Sequence, residues 1–357
     1  MYSFYPLAVD EIKDQFDEND YSPFVSVKWL QYLKELKGIK PVYLGINYEG
    51  NLIGYFFGGI THFCGIRVLG SPFWGWIGQH MGFILLDEVN KPELIDDLID
   101  YALREFRVLY VQITDLKFDY SDVQQCKHKL VEGERYRTCY IDLTKSEEEL
   151  FKNLKSGYRT CVRKFEKVGG VIQEDYSEEF IEEHHKQLAD VFDRQRKKCP
   201  NYRQKMKMMF NSPDFLKGAT NTLGIYSIKA MLPAQSDDQT LINVASSYYI
   251  HNGYMAMFAS NASYSEYLKN CPNQALMWNA IVNLKRAGIK IIDMGGSGAY
   301  KLNYTDRDWE PKPIMIFAKN KLIAFIIVEA KRSYGKVSSF IGKFKNGLKE
   351  IIKKENI

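Results

Sequence analysis

Apolar residues along the chain keep two rhythms, a period near two in short runs and a helical period in longer ones, and the order of these runs is repeated. In the first third, PVYLGINYEGNLIGYFFGGI and CGIRVLG are short β-type runs joined by the turn Glu49-Gly50-Asn51, which predicts a hairpin meander. Before them, Ser22 and Pro23 are placed to start a helix that turns Phe24, Trp29, Leu30 and Leu33 inward and runs to Gly38. After them, Ile95, Leu98, Ile99, Ala102, Leu103 and Phe106 fall on one helical face. The helix they predict over 92–106 leads into the strand VLYVQITD, which ends at Asp115.

The second half repeats that order. Strands LGIYSIKA, LINVASSYYI and YMAMFASN are followed by a helix from about Gln274 to Arg286 and by the strand IKIID, closed by Asp293. In both halves a short basic turn, over 104–107 and 285–288, joins the helix to an apolar strand. The repetition predicts a mixed α/β fold of two similar lobes. We divide the chain into an N-terminal lobe (1–140), a C-terminal lobe (141–330) and a basic amphipathic C-terminal helix (331–357).

Between the lobes, TKSEEELFKNLKSGYRTCVRKFEKVGG predicts one helix with a capping box, Thr144 with Glu147 or Ser146 with Glu149, stopped by Lys167 and the Gly169-Gly170 pair. Leu150, Leu154, Tyr158, Cys161 and Phe165 form its apolar stripe, and Lys155, Arg159 and Arg163 border it. A basic row beside a packed face is either a solvated flank or the lining of a cleft, and the position between two lobes favours the cleft. The adjacent pair His184-His185 lies on a predicted helix, where neighbours point in different directions, so no metal site is expected there.

A chain of 357 residues suits two cores, since domains run to about 100–200 residues. No apolar run approaches the ~20 residues that span a bilayer. The N-terminus lacks the basic start and apolar core of a secretory signal, which predicts a cytoplasmic location. The six cysteines form no C-x-x-C pair, which removes zinc knuckles and redox motifs. A net charge of +4 is too small for a general nucleic-acid binder, so any basic site must be local.

The segments FVSVKWLQYL, LFKNLKSGYRTCVRKFEKVGG and YMAMFASNASYSEYLKNCPNQALMWNAIVNLKRAGIKIIDMGGSG, with the later Lys301 to Tyr304, together resemble the Fem-type, BioF2-like branch of the GNAT acyltransferase superfamily. The third segment carries most of the likeness: a strand ending in Ser260-Asn261, a helix bearing Trp278 and Ala280, then a strand, Asp293 and Gly295-Gly296. The resemblance implies two tandem GNAT-like lobes with a cleft between them. It also implies transfer of an acyl or aminoacyl group to an amine of a nucleotide- or lipid-linked amino sugar or peptide of the cell envelope. The co-substrate would be acyl-CoA or aminoacyl-tRNA, with no tightly bound cofactor and no metal. Where many GNAT enzymes carry a glycine-rich pyrophosphate turn, this chain has SNASYSEYLKNCPNQ, which leaves the helix N-terminus near Asn273 to hold phosphate. The acidic segment 171–222 shows no heptad pair long enough for the helical arm of tRNA-using members, which weakens the tRNA reading.

Amine acylation needs no protein nucleophile, only a base, donors for the oxyanion and an acid for the leaving group. Asp293, at a strand end followed by glycines, is the expected base, the alternative being a cap on the Gly295-Gly296 turn. Ser260 and Asn261 are candidates to polarise the carbonyl, and Tyr264 and Tyr304 to act as acid or position substrate. Arg159, Arg163 and Lys164 are expected to grip a diphosphate. Trp74, Trp76, Gln79 and His80 suit a sugar or peptide acceptor, with Trp278, Gly295, Gly296 and Lys301 completing the substrate site. The C-terminal segment suits an anionic membrane surface or, alternatively, packing on the second lobe. Two rival functions stand beside N-acylation: an aminoacyl-tRNA-dependent peptidyltransferase, and a non-catalytic pair of lobes that binds glycan or protein.

Overall fold

The structure, a computed structural model, describes residues 1–12, 22–76, 78–129, 131–132, 136–196, 224–234, 237–296, 298–331 and 333. The first lobe is built on an antiparallel run of β1 (Ser3–Pro6), β2 (Lys40–Tyr48), β3 (Asn51–Phe63) and β4 (Ile66–Ser71), with β5 (Gly82–Leu85) on β3. Helix α1 (Val27–Lys37) precedes β2, and α2 (Lys91–Glu105) crosses over to β6 (Tyr110–Ile113), which lies parallel to β4. Short α3 (Tyr120–Gln124) follows, then β7 (Val131–Glu132) and β8 (Tyr136–Thr138).

The second lobe repeats this plan. Its sheet runs β10 (Val171–Glu174), β11 (Gly224–Ala234), β12 (Asp237–His251), β13 (Met255–Ser263), β14 (Ile291–Asp293), with β9 (Tyr140–Asp142) beside β14. Helices α4 (Glu147–Asn153), α5 (Ser156–Lys167) and α6 (Glu178–Arg196) come before β11, and α7 (Pro272–Arg286) is the crossover between the parallel strands β13 and β14. Two antiparallel hairpins, a crossover helix and one parallel strand are thus used twice, in the arrangement the repeated hydrophobic pattern predicts. The apolar face of α2 (Leu94, Ile95, Leu98, Ile99, Ala102) fills the first core, and Leu276, Ala280, Ile281 and Leu284 of α7 fill the second.

Three local expectations change. The first helix starts at Val27, not at Ser22: Ser26 accepts the Trp29 N–H at 3.1 Å as N-cap, while the Ser22 hydroxyl donates to the His80 carbonyl at 2.8 Å. The helix expected between the lobes is two helices. Ser146 and Glu149 form the capping box of α4, but Leu154 takes an extended ψ of 136° and the Lys155 N–H is drawn to the Asn303 carbonyl at 3.0 Å. A tertiary hydrogen bond outbids helix continuity there, and α5 starts afresh.

The third change concerns the division of the chain. After β15 (Glu310–Lys312), which pairs with β8, the strand β16 (Met315–Ala318) pairs antiparallel with β6 of the first sheet. Helix α8, over 321–331, then packs Ile323 and Ile327 against Ile66, Val68, Phe73 and Tyr110 of the first lobe. The described end of the chain therefore packs on the first lobe, so 141–330 is not one contiguous lobe. The rest of the C-terminal helix expectation, over 334–357, lies outside the described residues. No helix among the described residues is long and apolar enough to cross a membrane. Because Ile327 is fully buried, Ile327→Ala should cost about 2–5 kcal/mol of stability, measured by urea denaturation. An unchanged midpoint would mean that α8 contributes nothing to the first core.

Candidate functional site

The parallel pair β13 and β14 is in register for three positions only, Met255 with Ile291, Ala256 with Ile292 and Met257 with Asp293. Beyond Met257, β13 runs on to Ser263 beside β12, whereas the chain after Asp293 turns away through Gly295 and Gly296 at φ 55° and 59°. The ladder from β12 to β13 is also irregular here: Tyr248 faces Ser260 and Tyr249 faces Phe258, so Ala259 is an extra residue, a bulge of the kind that re-aims a strand. The two parallel strands part like an opened zip, and a cavity of about 460 Å3 fills the gap.

Phe258, Ala259, Ser260 and Asn261 line one side of this cavity and Gly295 and Gly296 the other. Leu188, Val191 and Phe192 of α6 add an apolar wall, Asn273 and Gln274 at the N-terminus of α7 form one end, and Tyr300, Lys301 and Tyr304 close it. Gln79 reaches in from the first lobe. A Cβ on Gly295 would stand 2.7 Å from Gln79 Nε2, so the Gln79 amide lies directly on this glycine, whose left-handed φ of 55° favours glycine. In the first lobe the Thr114 N–H donates to the Ser71 carbonyl at 2.9 Å and keeps the strands bonded past their ends.

Beneath the glycine turn lies a buried cluster. Asp293 Oδ2 is 3.0 Å from Nε2 of His80, and both side chains are completely enclosed. Asp293 Oδ1 accepts from the Thr138 hydroxyl and, at 2.7 Å, from the Gly295 N–H. Burial pushes the Asp293 carboxyl up, but the His80 bond and charge, with the Thr138 and Gly295 donors, outweigh it and hold the carboxyl below its ordinary range. The geometry corrects the assignment of Asp293 as base: its oxygens serve the turn and the lobe junction, and it does not line the cavity. His80 likewise joins the lobes instead of meeting an acceptor.

Lys301 carries the one charge among the described lining residues. Its ammonium donates to the carbonyls of Met294, at 2.5 Å, and Gly295, and lies 5.4 Å from the Phe258 ring centroid. Burial lowers its pKa to about 8, against the opposing pull of the nearby Asp293 charge. Tyr304, almost fully buried, packs edge-on against Tyr158, and burial raises its phenol well above the ordinary value.

Other expected residues stand elsewhere. The Arg159 guanidinium binds the Lys152 carbonyl at 2.8 Å and that of Leu154, closing the end of α4. Arg163 lies over the Phe151 ring at 5.4 Å, and Lys164 is exposed on α5, so the three do not converge on a phosphate grip. Trp278 packs on Phe151 in the second core. Trp74 and Trp76 pack with Phe63 and Phe73 in the first lobe. The Tyr264 hydroxyl donates to Glu183 at 2.6 Å, off the cavity. The apolar wall from α6 was not anticipated, although Leu188, Val191 and Phe192 fall at helical spacing within the acidic segment.

No protein-family model matches the chain, and no curated protein matches it. Among solved structures, the chain is similar to FemX, with a TM-score of 0.68 and 12% identity over 91% of this chain and 99% of FemX. It is also similar to a conserved protein of unknown function from Bacteroides thetaiotaomicron VPI-5482, with a TM-score of 0.55 and 12% identity over 89% of this chain and all of that one. What this likeness shows is the fold alone: the two-lobed α/β arrangement of this chain is similar to that of FemX. The likeness to the Fem-type branch drawn from the sequence holds at that level.

Because His80 and Asp293 are buried as a pair, Asp293→Asn should cost about 3–5 kcal/mol in urea denaturation. The folded-state pKa of Asp293 is lowered, so its contribution is present above the unfolded aspartate value and is lost as pH falls toward the folded value. The wild type should therefore lose stability below about pH 4 more steeply than Asp293→Asn.

Proposed function

We propose that the chain is an N-acyltransferase that uses the cavity between β13 and β14 to pass an acyl group from a phosphate-bearing carrier to an amine. The observation that supports it best is Lys301, the one cation among the described lining residues, set on an otherwise uncharged wall at the point where the parallel strands part. An ammonium held at the strand end by two carbonyls is preorganised to stabilise the negative oxygen that develops when an amine adds to an acyl carbon. The amine nitrogen bonds to that carbon, the carbon–carrier bond breaks, and the amine proton passes to the leaving group. Tyr304, kept protonated by burial, can relay that proton, giving its own to the leaving group as it takes up the one the amine releases.

The N-terminus of α7 suits the carrier. Cys271 caps it without a side-chain hydrogen bond, and Asn273 and Gln274 reach the cavity, so backbone N–H groups and the helix dipole face an anionic phosphate. This reading favours acyl-CoA over aminoacyl-tRNA as donor. The acceptor, an amino group on a nucleotide- or lipid-linked envelope precursor, rests on the Fem-type resemblance of the sequence.

Thermal-shift measurements against acetyl-CoA, longer acyl-CoAs, uncharged tRNA and UDP-linked amino sugars and peptides test the donor, since a ligand of the native state raises its melting temperature. A rise with an acyl-CoA is expected. A rise with tRNA and none with any CoA would replace this reading by the peptidyltransferase, and no rise at all would favour a binding-only pair of lobes. With a donor in hand, Lys301→Met should lower turnover about 100-fold. The wild-type rate should fall as pH rises through about 8, where Lys301 loses its proton. A rate that keeps climbing well above that pH would remove the ammonium role.

A further inference from the structure

The two adjacent histidines of α6 have separate fates, and His184 lies wholly buried behind the cavity wall. It stacks on Phe180, with centroids 5.9 Å apart, and meets Tyr248 edge-on. Its Nδ1 is 2.7 Å from Ser246 Oγ and its Nε2 is 2.9 Å from Ser260 Oγ. The Ser246 hydroxyl donates to Gln187 Oε1 at 2.5 Å, and the Gln187 amide nitrogen donates to Asn243 Oδ1 at 2.9 Å.

With the Gln187 and Asn243 amides oriented as they stand, one set of proton positions satisfies this chain. Ser246 has a single proton and gives it to Gln187, so toward His184 it must accept, which places the ring proton on Nδ1. Burial, and then the neighbouring His185, lowers the imidazole pKa to about 3, so the ring is neutral and Nε2 carries a lone pair. The Ser260 hydroxyl fills that lone pair with its own proton. Ser260 Oγ is then left with lone pairs toward the cavity it lines. Gln79 and Asn273 line the same cavity.

We propose that Ser260, fixed as a hydrogen-bond acceptor by the relay through His184, Ser246, Gln187 and Asn243, holds the amine of the substrate. His184 is a positioning residue in this arrangement, since it acts only through Ser260. The amine role rests on the acyl-transfer reading, but the direction of the relay does not. A neutral primary amine offers an N–H donor to this acceptor, whereas a carboxylate offers none and is repelled by an oxygen with which it shares no proton.

The test is nitrogen NMR of the whole protein labelled at histidine, with His184 assigned by its loss in His184→Asn. The expected spectrum has His184 protonated at Nδ1 and bare at Nε2, and Ser260→Ala should shift the Nε2 resonance while leaving Nδ1 in place. Ethylamine should move the same resonance saturably in the wild type and not in Ser260→Ala, and acetate should leave it unmoved. A proton on Nε2, an Nε2 resonance indifferent to Ser260→Ala, or no response to ethylamine would each overturn the proposal. The wild-type tautomer is read without any variant, so a Ser260→Ala chain that fails to fold does not spare it. Binding of ethylamine without turnover of any acyl donor would leave the amine site standing and sink the acyl-transfer reading.

Discussion

The buried contact between His80 and Asp293 is the constraint on which the rest of the site depends. It is a hydrogen-bonded pair between residues 213 apart in sequence, one from each lobe, both without solvent exposure. A charge placed in such surroundings is tolerated only when its oxygens are filled, and Thr138 and the Gly295 N–H complete that requirement. The same carboxylate therefore docks the lobes, holds the glycine turn and brings Gln79, the neighbour of His80, to the cavity mouth. Loss of Asp293 would disturb all three, which is why an effect on activity alone would not mark it as a base.

The duplication acquires its meaning from one difference between the halves. Each lobe sends an amphipathic helix across to a parallel strand with an aspartate at or just past its end, Asp293 or Asp115, and both aspartates are buried and accept backbone N–H groups. In the first lobe the strands stay bonded through Thr114 and Ser71, and Gly82 packs directly on Asp115. In the second, the bulge at Ala259 and the two left-handed glycines separate them. One lobe has become scaffold and the other holds the cavity, with the first contributing Gln79 to its wall.

Around the cavity, polar groups divide by what they face. Lys301 donates to carbonyls at the strand end, while Ser260 is held by His184 on β13. Leu188, Val191 and Phe192 of α6 add the apolar part of the same lining.

The sequence by itself determined the elements and their order, because hydrophobic periodicity is a local property that each segment carries alone. The faces of α2 and α7, the strands on either side of them and the repeat of the whole pattern were all legible; Ser260, Asn261, Gly295, Gly296, Lys301, Tyr304 and Gln79, candidates from the sequence, line one cavity. What only the tertiary structure decided was the role of each polar side chain. Asp293 looked like a base until His80, from the other lobe, was seen to occupy its oxygen, and Arg159 looked like a phosphate ligand until two carbonyls of a broken helix took up its guanidinium. His184 gained its place only when β12 and β13 brought Ser246 and Ser260 to its two nitrogens. Hydrogen bonds between distant segments set these roles, and a linear pattern does not encode which partner will satisfy a given donor. The return of β16 and α8 to the first lobe is decided in the same way, by which sheet edge and apolar surface remain uncovered once both lobes have folded.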